Sequence, residues 1–189
     1  MILDAGKQLL SLVEDVLDLS KVESGHITMQ LQPVDVCQSL RQCAALIGHQ
    51  LQEHQLTWID QLPQQAIWVQ ADPQRLQQIW INLLTNACKY NRCGGHITVS
   101  AAEVPDGIRI DIADTGEGLS QQDIAELFQP FKRVNPSPRI EGTGLGLYIV
   151  KLLAERMHGQ VSVQSEVGQG SVFSVQLTAA PSDQSKPLV

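Results

Sequence analysis

The sequence has no surplus of basic residues and no paired-cysteine motif, and each absence excludes a class of function. Its 13 Lys and Arg are outnumbered by 20 Asp and Glu, which gives a formal net charge of −7. A domain that binds nucleic acid through its phosphates usually has the opposite balance, so we expect no nucleic-acid partner. The four cysteines form no C-x-x-C pair, which favours reduced thiols in a cytosolic protein over zinc ligands or disulfides.

Long apolar runs are also missing. No run approaches the roughly 18 residues that a membrane-spanning helix requires. Hydrophobic residues nevertheless make up 43% of the 189 residues and charged residues only 17%, which is typical of a folded globular chain. The length predicts one domain of about 150 residues with an appendage.

The first 23 residues carry a helical pattern whose apolar face is too wide for one helix to bury alone. Two adjacent seams are formed by Ile2, Ala5, Leu9, Leu12, Val16 and Leu19, and by Leu3, Leu10, Val13 and Leu17. Such a face is typical of a four-helix bundle. We therefore predict that residues 1–24 are half of a helical hairpin, ended by the break at Glu23-Ser24-Gly25; the alternative is a helix docked on its own domain.

The remaining sequence alternates between strand and helix patterns. Strands are predicted at residues 26–32, 56–60, 67–70, 97–104, 108–114, 161–167 and 172–177, and helices at residues 36–54, 73–90, 120–128 and 145–158. Asp35 and Asp72-Pro73 are helix starts, and Pro33 is expected to end the first strand. The order predicts an α+β fold of two layers: a mixed, mainly antiparallel sheet with helices on one face. From residue 179 onward the composition is that of a tail or linker.

A glycine-rich segment, Gly142-Thr143-Gly144-Leu145-Gly146-Leu147, stands where a loop enters a predicted helix. Its glycines allow close approach of the backbone to a ligand, and the helix start offers free N–H groups, so the segment predicts an anion site suited to phosphates. The G-x-G-x-G spacing is one residue short of the dinucleotide fingerprint, and no glycine is followed by Lys-Ser or Lys-Thr. By itself, the segment is equally compatible with a glycine-rich helix cap.

Two further patterns indicate a ligand. In Asp114-Thr115-Gly116-Glu117-Gly118-Leu119, a carboxylate follows a buried strand and is suited to accept a hydrogen bond from an exocyclic amine, while the glycines admit a planar ring. Asn82 and Asn86 lie four residues apart on one helix face, and an amide oxygen is a suitable ligand for magnesium. The alternatives are a simple strand-ending turn and a pair of solvent-facing or backbone-bonded amides.

Four segments in this order resemble the N, G1, F and G2 boxes of bacterial sensor histidine kinases. They are residues 79–91 (I-W-I-N-L-L-T-N-A-C-K-Y-N), 114–119 (D-T-G-E-G-L), 127–133 (L-F-Q-P-F-K-R) and 142–147 (G-T-G-L-G-L). Residues 158–173 are similar to the closing hairpin of the same family. The resemblance implies a Bergerat-type ATP-binding fold, shared with DNA gyrase and certain chaperones. Residues 1–24 are then the second helix of a dimerisation and phosphotransfer hairpin, residues 25–178 the ATP-binding catalytic domain, and residues 179–189 a tail or linker.

The resemblance also implies a role for individual residues. Asp114 would contact the adenine amine and Asn86 would be the magnesium ligand. Lys89 and Arg133 would face the phosphates and, with Asn86, form the catalytic set, while Tyr90 would pack near the ribose. The remaining implied nucleotide-binding residues are Asn82, Gly116, Gly118, Leu119, Gly142, Thr143, Gly144, Leu145, Gly146 and Leu147. Residues 133–141 would form a lid, with Phe128 and Phe131 at its base.

One position bears on the type of reaction. ATP-hydrolysing relatives carry a glutamate general base four residues before the magnesium asparagine, and here Asn82 occupies that place. An amide does not accept a proton from water at neutral pH, so we do not expect efficient ATP hydrolysis. A kinase needs no such base, because its nucleophile is a histidine of another domain and catalysis depends on positioning and charge neutralisation.

The implied partners lie outside the chain. None of its five histidines has the sequence context of the family's acceptor, so we expect the chain to bind Mg-ATP without autophosphorylating. The resemblance implies a histidine-bearing dimerisation domain, a response regulator receiver domain, a homodimer of the parent protein, and a cytoplasmic location as part of a membrane-bound sensor. The alternatives are a degenerate kinase that holds nucleotide without phosphotransfer, and a gyrase-like ATPase.

Overall fold

The computed structural model describes Val13, residues 28–132 and residues 142–181. The predicted helix of residues 1–24, apart from Val13, lies outside the described residues, as do the lid of residues 133–141 and the tail beyond residue 181. None of the helices in the described part of the chain is both long and apolar enough to span a membrane.

The described chain contains seven strands and five helices. The strands are β1 (Gln32–Asp35), β2 (Thr57–Asp60), β3 (Trp68–Ala71), β4 (His96–Val104), β5 (Gly107–Asp114), β6 (Gln160–Glu166) and β7 (Gly170–Leu177). The helices are α1 (Val36–Leu46), α2 (Gly48–Glu53), α3 (Pro73–Lys89), α4 (Gln121–Glu126) and α5 (Gly146–Arg156).

Five strands form the main sheet in the order β2-β4-β5-β7-β6. Strands β2 and β4 are parallel and the other three pairs are antiparallel. Strands β1 and β3 form a separate antiparallel pair. Helices α3 and α5 pack against each other and against one face of the main sheet. The predicted α+β class, with a mixed, mainly antiparallel sheet and helices on one face, is therefore confirmed.

The core lies between α3, α5 and alternate residues of the central strands. The buried strand residues are Ile97 and Val99 on β4, Ile108, Ile110 and Ile112 on β5, and Phe173, Val175 and Leu177 on β7. On the other face of β5, Arg109 Nε donates to Asp111 Oδ2 at 3.2 Å. The period-two pattern thus places Asp114, which follows Ile112 in register, on the same side as the helices.

Helix starts are encoded locally, as the sequence predicts. Asp35 Oδ1 accepts from the Cys37 and Gln38 amides at the start of α1. Asp72 Oδ1 accepts from the Gln74 and Arg75 amides at the start of α3, with Pro73 in the first turn. Ser120 and Asp123 form a reciprocal capping box at α4.

Two predicted elements differ from those observed. The first strand is β1 and includes Pro33, whereas Pro33 was expected to end a strand of residues 26–32. Proline is tolerated there because β1 pairs with β3 alone and is an edge strand. The helix predicted over residues 36–54 is two helices, since the chain leaves helical geometry at Ile47, whose side chain is buried. Gly48, a poor helix residue, follows at the break.

The first residues after β7 lie along β3. The Gln70 amide donates to the Thr178 carbonyl and the Ala180 amide donates to the Trp68 carbonyl, each at 2.9 Å. The start of the segment predicted as a tail is therefore hydrogen-bonded to the domain through residue 180.

Candidate functional site

The turn after β5 lies directly against the C-terminal end of α3. The Glu117 amide donates to the Tyr90 carbonyl at 3.2 Å, and Gly116 is buried beside the same carbonyl. A Cβ atom at Gly116 would overlap the Tyr90 oxygen, so this close approach requires glycine. The structure therefore brings Gly116 and Tyr90, two predicted site residues, into contact.

Asp114 ends β5 with its carboxyl largely removed from solvent. Burial raises the pKa of Asp114, and hydrogen bonds from the Gly116 and Ser171 backbone oppose that shift. The Gly116 amide donates to Asp114 Oδ1 at 2.8 Å. A carboxyl group in this setting is poorly hydrated, so a hydrogen bond from a ligand N–H group is less screened by water than on the surface.

The opposite side of the turn is bound to the β6–β7 hairpin. The Leu119 amide donates to Ser165 Oγ at 2.8 Å, and the Gly168 amide donates to the Glu117 carbonyl at 2.7 Å. Gly118 has a φ of +68°, and an added Cβ would overlap the Glu166 carbonyl. The turn that carries Asp114 is thus held on two sides by backbone contacts.

Asn82, the first of the paired asparagines of α3, faces the start of α5. The side-chain amide of Asn82 donates to the Gly146 carbonyl at 3.5 Å, a long contact that joins the N-box helix to the glycine-rich segment. Asn86 follows one turn later and is half-buried, and Lys89 and Tyr90 are exposed at the helix end. These four predicted site residues therefore lie along one helix that ends at the Asp114 turn.

Asn86 is suited to bind a metal only as part of a shared coordination sphere. In the described residues there is no cluster of three or more His, Cys, Asp or Glu side chains that could hold a metal ion. An amide oxygen is a ligand type that magnesium accepts, and magnesium usually completes its shell with water and substrate phosphates. The donor set present here fits a magnesium ion that arrives with a nucleotide.

The described residues on either side of the segment predicted as a lid are hydrogen-bonded to each other. The Phe131 amide donates to the Gly144 carbonyl at 3.0 Å. Gly144 has a φ of +75°, and a Cβ there would lie 2.9 Å from the Phe131 carbonyl carbon. The side chain of Phe131 is 61% exposed, whereas Phe128 packs on the core. The Phe131 part of this contact is therefore made by its backbone and not by its ring.

The glycine-rich segment divides into packing residues and backbone residues. Leu145 is fully buried and Leu147 packs against the core. The Leu145 amide donates to Thr143 Oγ1 at 3.3 Å. Gly146 begins α5, and Gly142 is exposed with no atom within 4 Å of an added Cβ. Arg133, predicted to face the phosphates, lies outside the described residues.

One polar network at the site was not singled out from the sequence. Thr115 Oγ1 donates to Asn91 Oδ1 at 3.1 Å and accepts from the His96 amide at 3.0 Å. The Asn91 side-chain amide donates to the His96 carbonyl at 3.2 Å. Asn91 and Thr115 belong to the N and G1 segments, but only contacts between distant parts of the chain give their side chains a role.

The chain is similar in sequence to one protein family and to named histidine kinases. A family model described as "Histidine kinase-, DNA gyrase B-, and HSP90-like ATPase" matches residues 71–181. A sensor-like histidine kinase of Rhizobium meliloti is 37% identical over 187 residues, which are 98% of this chain and 35% of that protein. The circadian input-output histidine kinase CikA of Synechococcus elongatus is 38% identical over 176 residues, 91% of this chain and 23% of that protein.

A solved structure is similar over the same extent. The crystal structure of full-length ShkA in complex with AMPPNP superimposes with a TM-score of 0.82 at 33% identity, over 95% of this chain and 37% of that chain. The chain spans about a third or less of the length of these relatives. Because the family model matches more than half of the chain and includes α3, the Asp114 turn and the glycine-rich segment, the chain belongs to the histidine kinase-, DNA gyrase B- and HSP90-like ATPase family.

Proposed function

We propose that the chain is the ATP-binding catalytic part of a two-component sensor histidine kinase. It binds Mg-ATP and transfers the γ-phosphoryl group to a histidine of a dimerisation domain, for relay to an aspartate of a response regulator receiver domain. The observation that carries the proposal is the partly buried Asp114 carboxyl, on a turn that is hydrogen-bonded through Glu117 to Tyr90 at the end of the helix that carries Asn86. The bound AMPPNP of ShkA, a relative at 33% identity, supports ATP as the ligand.

The adenine end of the nucleotide belongs to the Asp114 turn. The carboxylate accepts a hydrogen bond from the exocyclic amine, while its Oδ1 already accepts from the Gly116 amide. Gly116, Gly118 and Leu119 shape the wall of this pocket through the backbone. Because the turn is fixed on both sides, little ordering is required when the ring binds.

The phosphate end belongs to α3 and the glycine-rich segment. Asn86 would hold a magnesium ion through its amide oxygen, and the ion would supply charge neutralisation on the phosphates. Lys89, Arg133 and the backbone N–H groups at the start of α5 bind phosphate oxygens, because cations and helix N-termini both stabilise negative charge. Tyr90 packs near the ribose.

The reaction is phosphoryl transfer to nitrogen. A neutral imidazole nitrogen attacks the γ-phosphorus, the bond to the bridging oxygen breaks, and ADP leaves with that electron pair. Asn82 cannot serve as a general base for water, since it is an amide and already contacts the Gly146 carbonyl. We therefore infer a kinase rather than an efficient ATPase.

The parent protein is proposed to be a homodimer with its catalytic part in the cytoplasm. In this arrangement residues 1–24 supply a helix of the dimerisation hairpin, residues 25–178 form the catalytic domain, and residues 179–189 are a tail or linker. The wide apolar face predicted for residues 2–19 supports this division, because such a face requires partner helices.

Two measurements test the proposal. Calorimetric titration of the chain with magnesium and AMPPNP should give saturable heat of binding, and no detectable heat at millimolar ligand would contradict it. Labelled ATP, added together with a separately supplied histidine-bearing hairpin of a parent kinase, should give acid-labile label on the hairpin and none on this chain. Label on this chain, or steady phosphate release without a hairpin, would contradict the assigned reaction.

A further inference from the structure

Three segments that are distant in sequence meet in one hydrogen-bonded group, which we call the Asn91–Thr115 lock. It consists of the Asn91 side chain just after α3, the Thr115 side chain just after β5, and the His96 backbone at the start of β4. The contacts span 5, 19 and 24 residues of sequence. The lock therefore depends on the tertiary fold.

The lock uses most of the hydrogen-bonding capacity of its two side chains. Asn91 Oδ1 accepts from the Thr115 hydroxyl and from the Arg92 amide, at 3.1 and 3.0 Å, while Asn91 Nδ2 donates to the His96 carbonyl. Thr115 Oγ1 also accepts from the His96 amide. A Cβ at Gly95 would collide with both Asn91 Oδ1 and Thr115 Oγ1, so the group is closely packed. Such a network holds one arrangement, because any displacement leaves several groups without partners.

The position of the lock relates it to both ends of the nucleotide site. Thr115 directly follows Asp114, and Asn91 follows Tyr90, which ends the helix that carries Asn86. In the proposed function, the adenine binds at Asp114 and the metal-bound phosphates bind at Asn86. The gain from binding both ends at once depends on how well the distance between the two groups is fixed.

We infer that Asn91 and Thr115 are positioning residues of the nucleotide site. They contact neither adenine nor phosphate; they fix the carboxyl of Asp114 relative to the end of α3 through the Thr115–Asn91 hydrogen bond. This inference rests on the proposed function, since it concerns how the same site is held for nucleotide. It predicts that loss of one hydroxyl outside the pocket weakens nucleotide binding in a chain that remains folded.

The test compares three threonine variants of the same chain by titration with magnesium and AMPPNP. Thr115→Val removes the hydroxyl but keeps the branched shape, Thr115→Ser keeps the hydroxyl, and Thr85→Val is the matched control. Thr85 lies on α3, and its hydroxyl bonds to carbonyls of its own helix, Ile81 and Asn82. We expect about tenfold weaker binding for Thr115→Val and wild-type affinity within about threefold for the other two, in line with the loss of one partly buried hydrogen bond.

A second readout separates positioning from a general loss of stability. Circular dichroism establishes the folded fraction of each variant at the temperature of the titration, and amide hydrogen exchange reports on the His96 N–H. We expect Thr115→Val to stay folded and to exchange the His96 amide faster, and we expect the Asn91→Ala and Thr115→Val affinity losses to be less than additive, since they break one network.

The outcomes distinguish the inference from the proposed function. If the wild-type chain binds no nucleotide, both are overturned. If the wild type binds and Thr115→Val binds equally well, or if Thr115→Ser is as weak as Thr115→Val, the positioning role is wrong while the proposed function stands. An affinity loss fully explained by a smaller folded fraction likewise overturns the positioning role.

Discussion

Asp114, the proposed adenine contact, carries a cost to the stability of the fold. Burial raises its pKa, which means that the ionised carboxylate is less favourable in the folded chain than in the unfolded one. The folded state then holds a proton more tightly, so the free energy of unfolding falls as pH rises from the carboxyl's ordinary pKa through the raised value. A residue kept despite such a cost is a candidate for function.

Asp114→Asn should therefore separate binding from stability. Asparagine Oδ1 can still accept from the Gly116 amide. The Nδ2 group, however, donates hydrogen bonds and cannot accept one from the adenine amine. We expect affinity for Mg-AMPPNP to fall about tenfold to a hundredfold, the range for a lost charged hydrogen bond. We also expect the free energy of unfolding at neutral pH to stay equal or rise. The decrease in this free energy as pH rises through the raised pKa of Asp114 should disappear.

Asp111→Asn is the control for that substitution. Asp111 lies on the same strand but pairs with Arg109 on the opposite face of the sheet. The Arg109 side chain is 51% exposed and that of Asp111 22% exposed. A partly exposed ion pair contributes little, so we expect unchanged affinity and a small change in stability. Calorimetry measures the affinity of each variant, and urea titration measures its stability. Equal losses of affinity in the Asp111 and Asp114 variants would contradict the role of Asp114.

The cysteines should react unequally. Cys93 is exposed, whereas Cys37, Cys43 and Cys88 are buried, and burial raises the pKa of Cys43 and of Cys88 to about 11. Iodoacetamide reacts with the thiolate, so at pH 8 we expect one modified thiol in the native chain and four after unfolding. Mass spectrometry of tryptic peptides identifies the site, and Cys93→Ser should remove the native-state modification. Rapid modification of Cys88 would contradict the buried position of this face of α3.

At the scale of the element, Asp72 has two structural roles, one for each of its carboxylate oxygens. Its Oδ1 caps α3, and its Oδ2 accepts from the Gln30 amide at 3.0 Å. The start of the helix that carries Asn82 and Asn86 is thereby tied to the segment that enters the domain.

Substitutions at Asp72 should divide these functions. We expect Asp72→Ala to lower the free energy of unfolding by about 1–2 kcal/mol through loss of the cap, with a further loss from the freed Gln30 amide. Asp72→Ser should recover the cap and leave only the second loss.

Asp35 supplies the comparison, because its Oδ1 caps α1 through the Cys37 and Gln38 amides. Asp35→Ser should be nearly neutral, so the difference between the two serine variants in denaturant titration measures the contact with Gln30. Equal stability of the two serine variants would show that this contact contributes nothing.

The positions of most elements were predictable, because their signals are local. Asp35, Asp72-Pro73 and Ser120 mark helix starts that the structure confirms. The bounds of β1 were not predictable, since they depend on pairing with β3. The break at Ile47 was not predictable either, because it coincides with the burial of that side chain. Local pattern does not encode a partner strand.

The candidate site was predictable to a similar extent. Motif spacing located Asp114, Asn86 and the glycines; the structure brings the Asp114 turn to the end of α3 and the start of α5 to Asn82 on the same helix. Thr115 and Asn91 could not be found in the same way, because their hydrogen bonds join residues 24 positions apart. The roles of the site residues toward nucleotide stay predictions, and Arg133 lies outside the described residues.

At the scale of the whole molecule, nucleotide should stabilise the fold through linkage. A ligand that binds only the folded chain adds about 2.7 kcal/mol at one hundred times its Kd. For a domain of this size we expect Tm to rise by about 5–10 °C with magnesium and AMPPNP, measured by calorimetry or dye fluorescence. Asp114→Asn should show a much smaller rise at the same concentrations, and an equal rise in both would indicate binding elsewhere.

The contact between the Phe131 amide and the Gly144 carbonyl has a consequence for how the family can vary. It closes a ring in the chain, so the residues inside the ring can change in number without moving the strands or helices outside it. The entropy of such a ring grows only with the logarithm of its size, at about 0.6 kcal/mol for each doubling. Halving or doubling the number of residues between Phe131 and Gly144 should therefore change the free energy of folding by only about that amount.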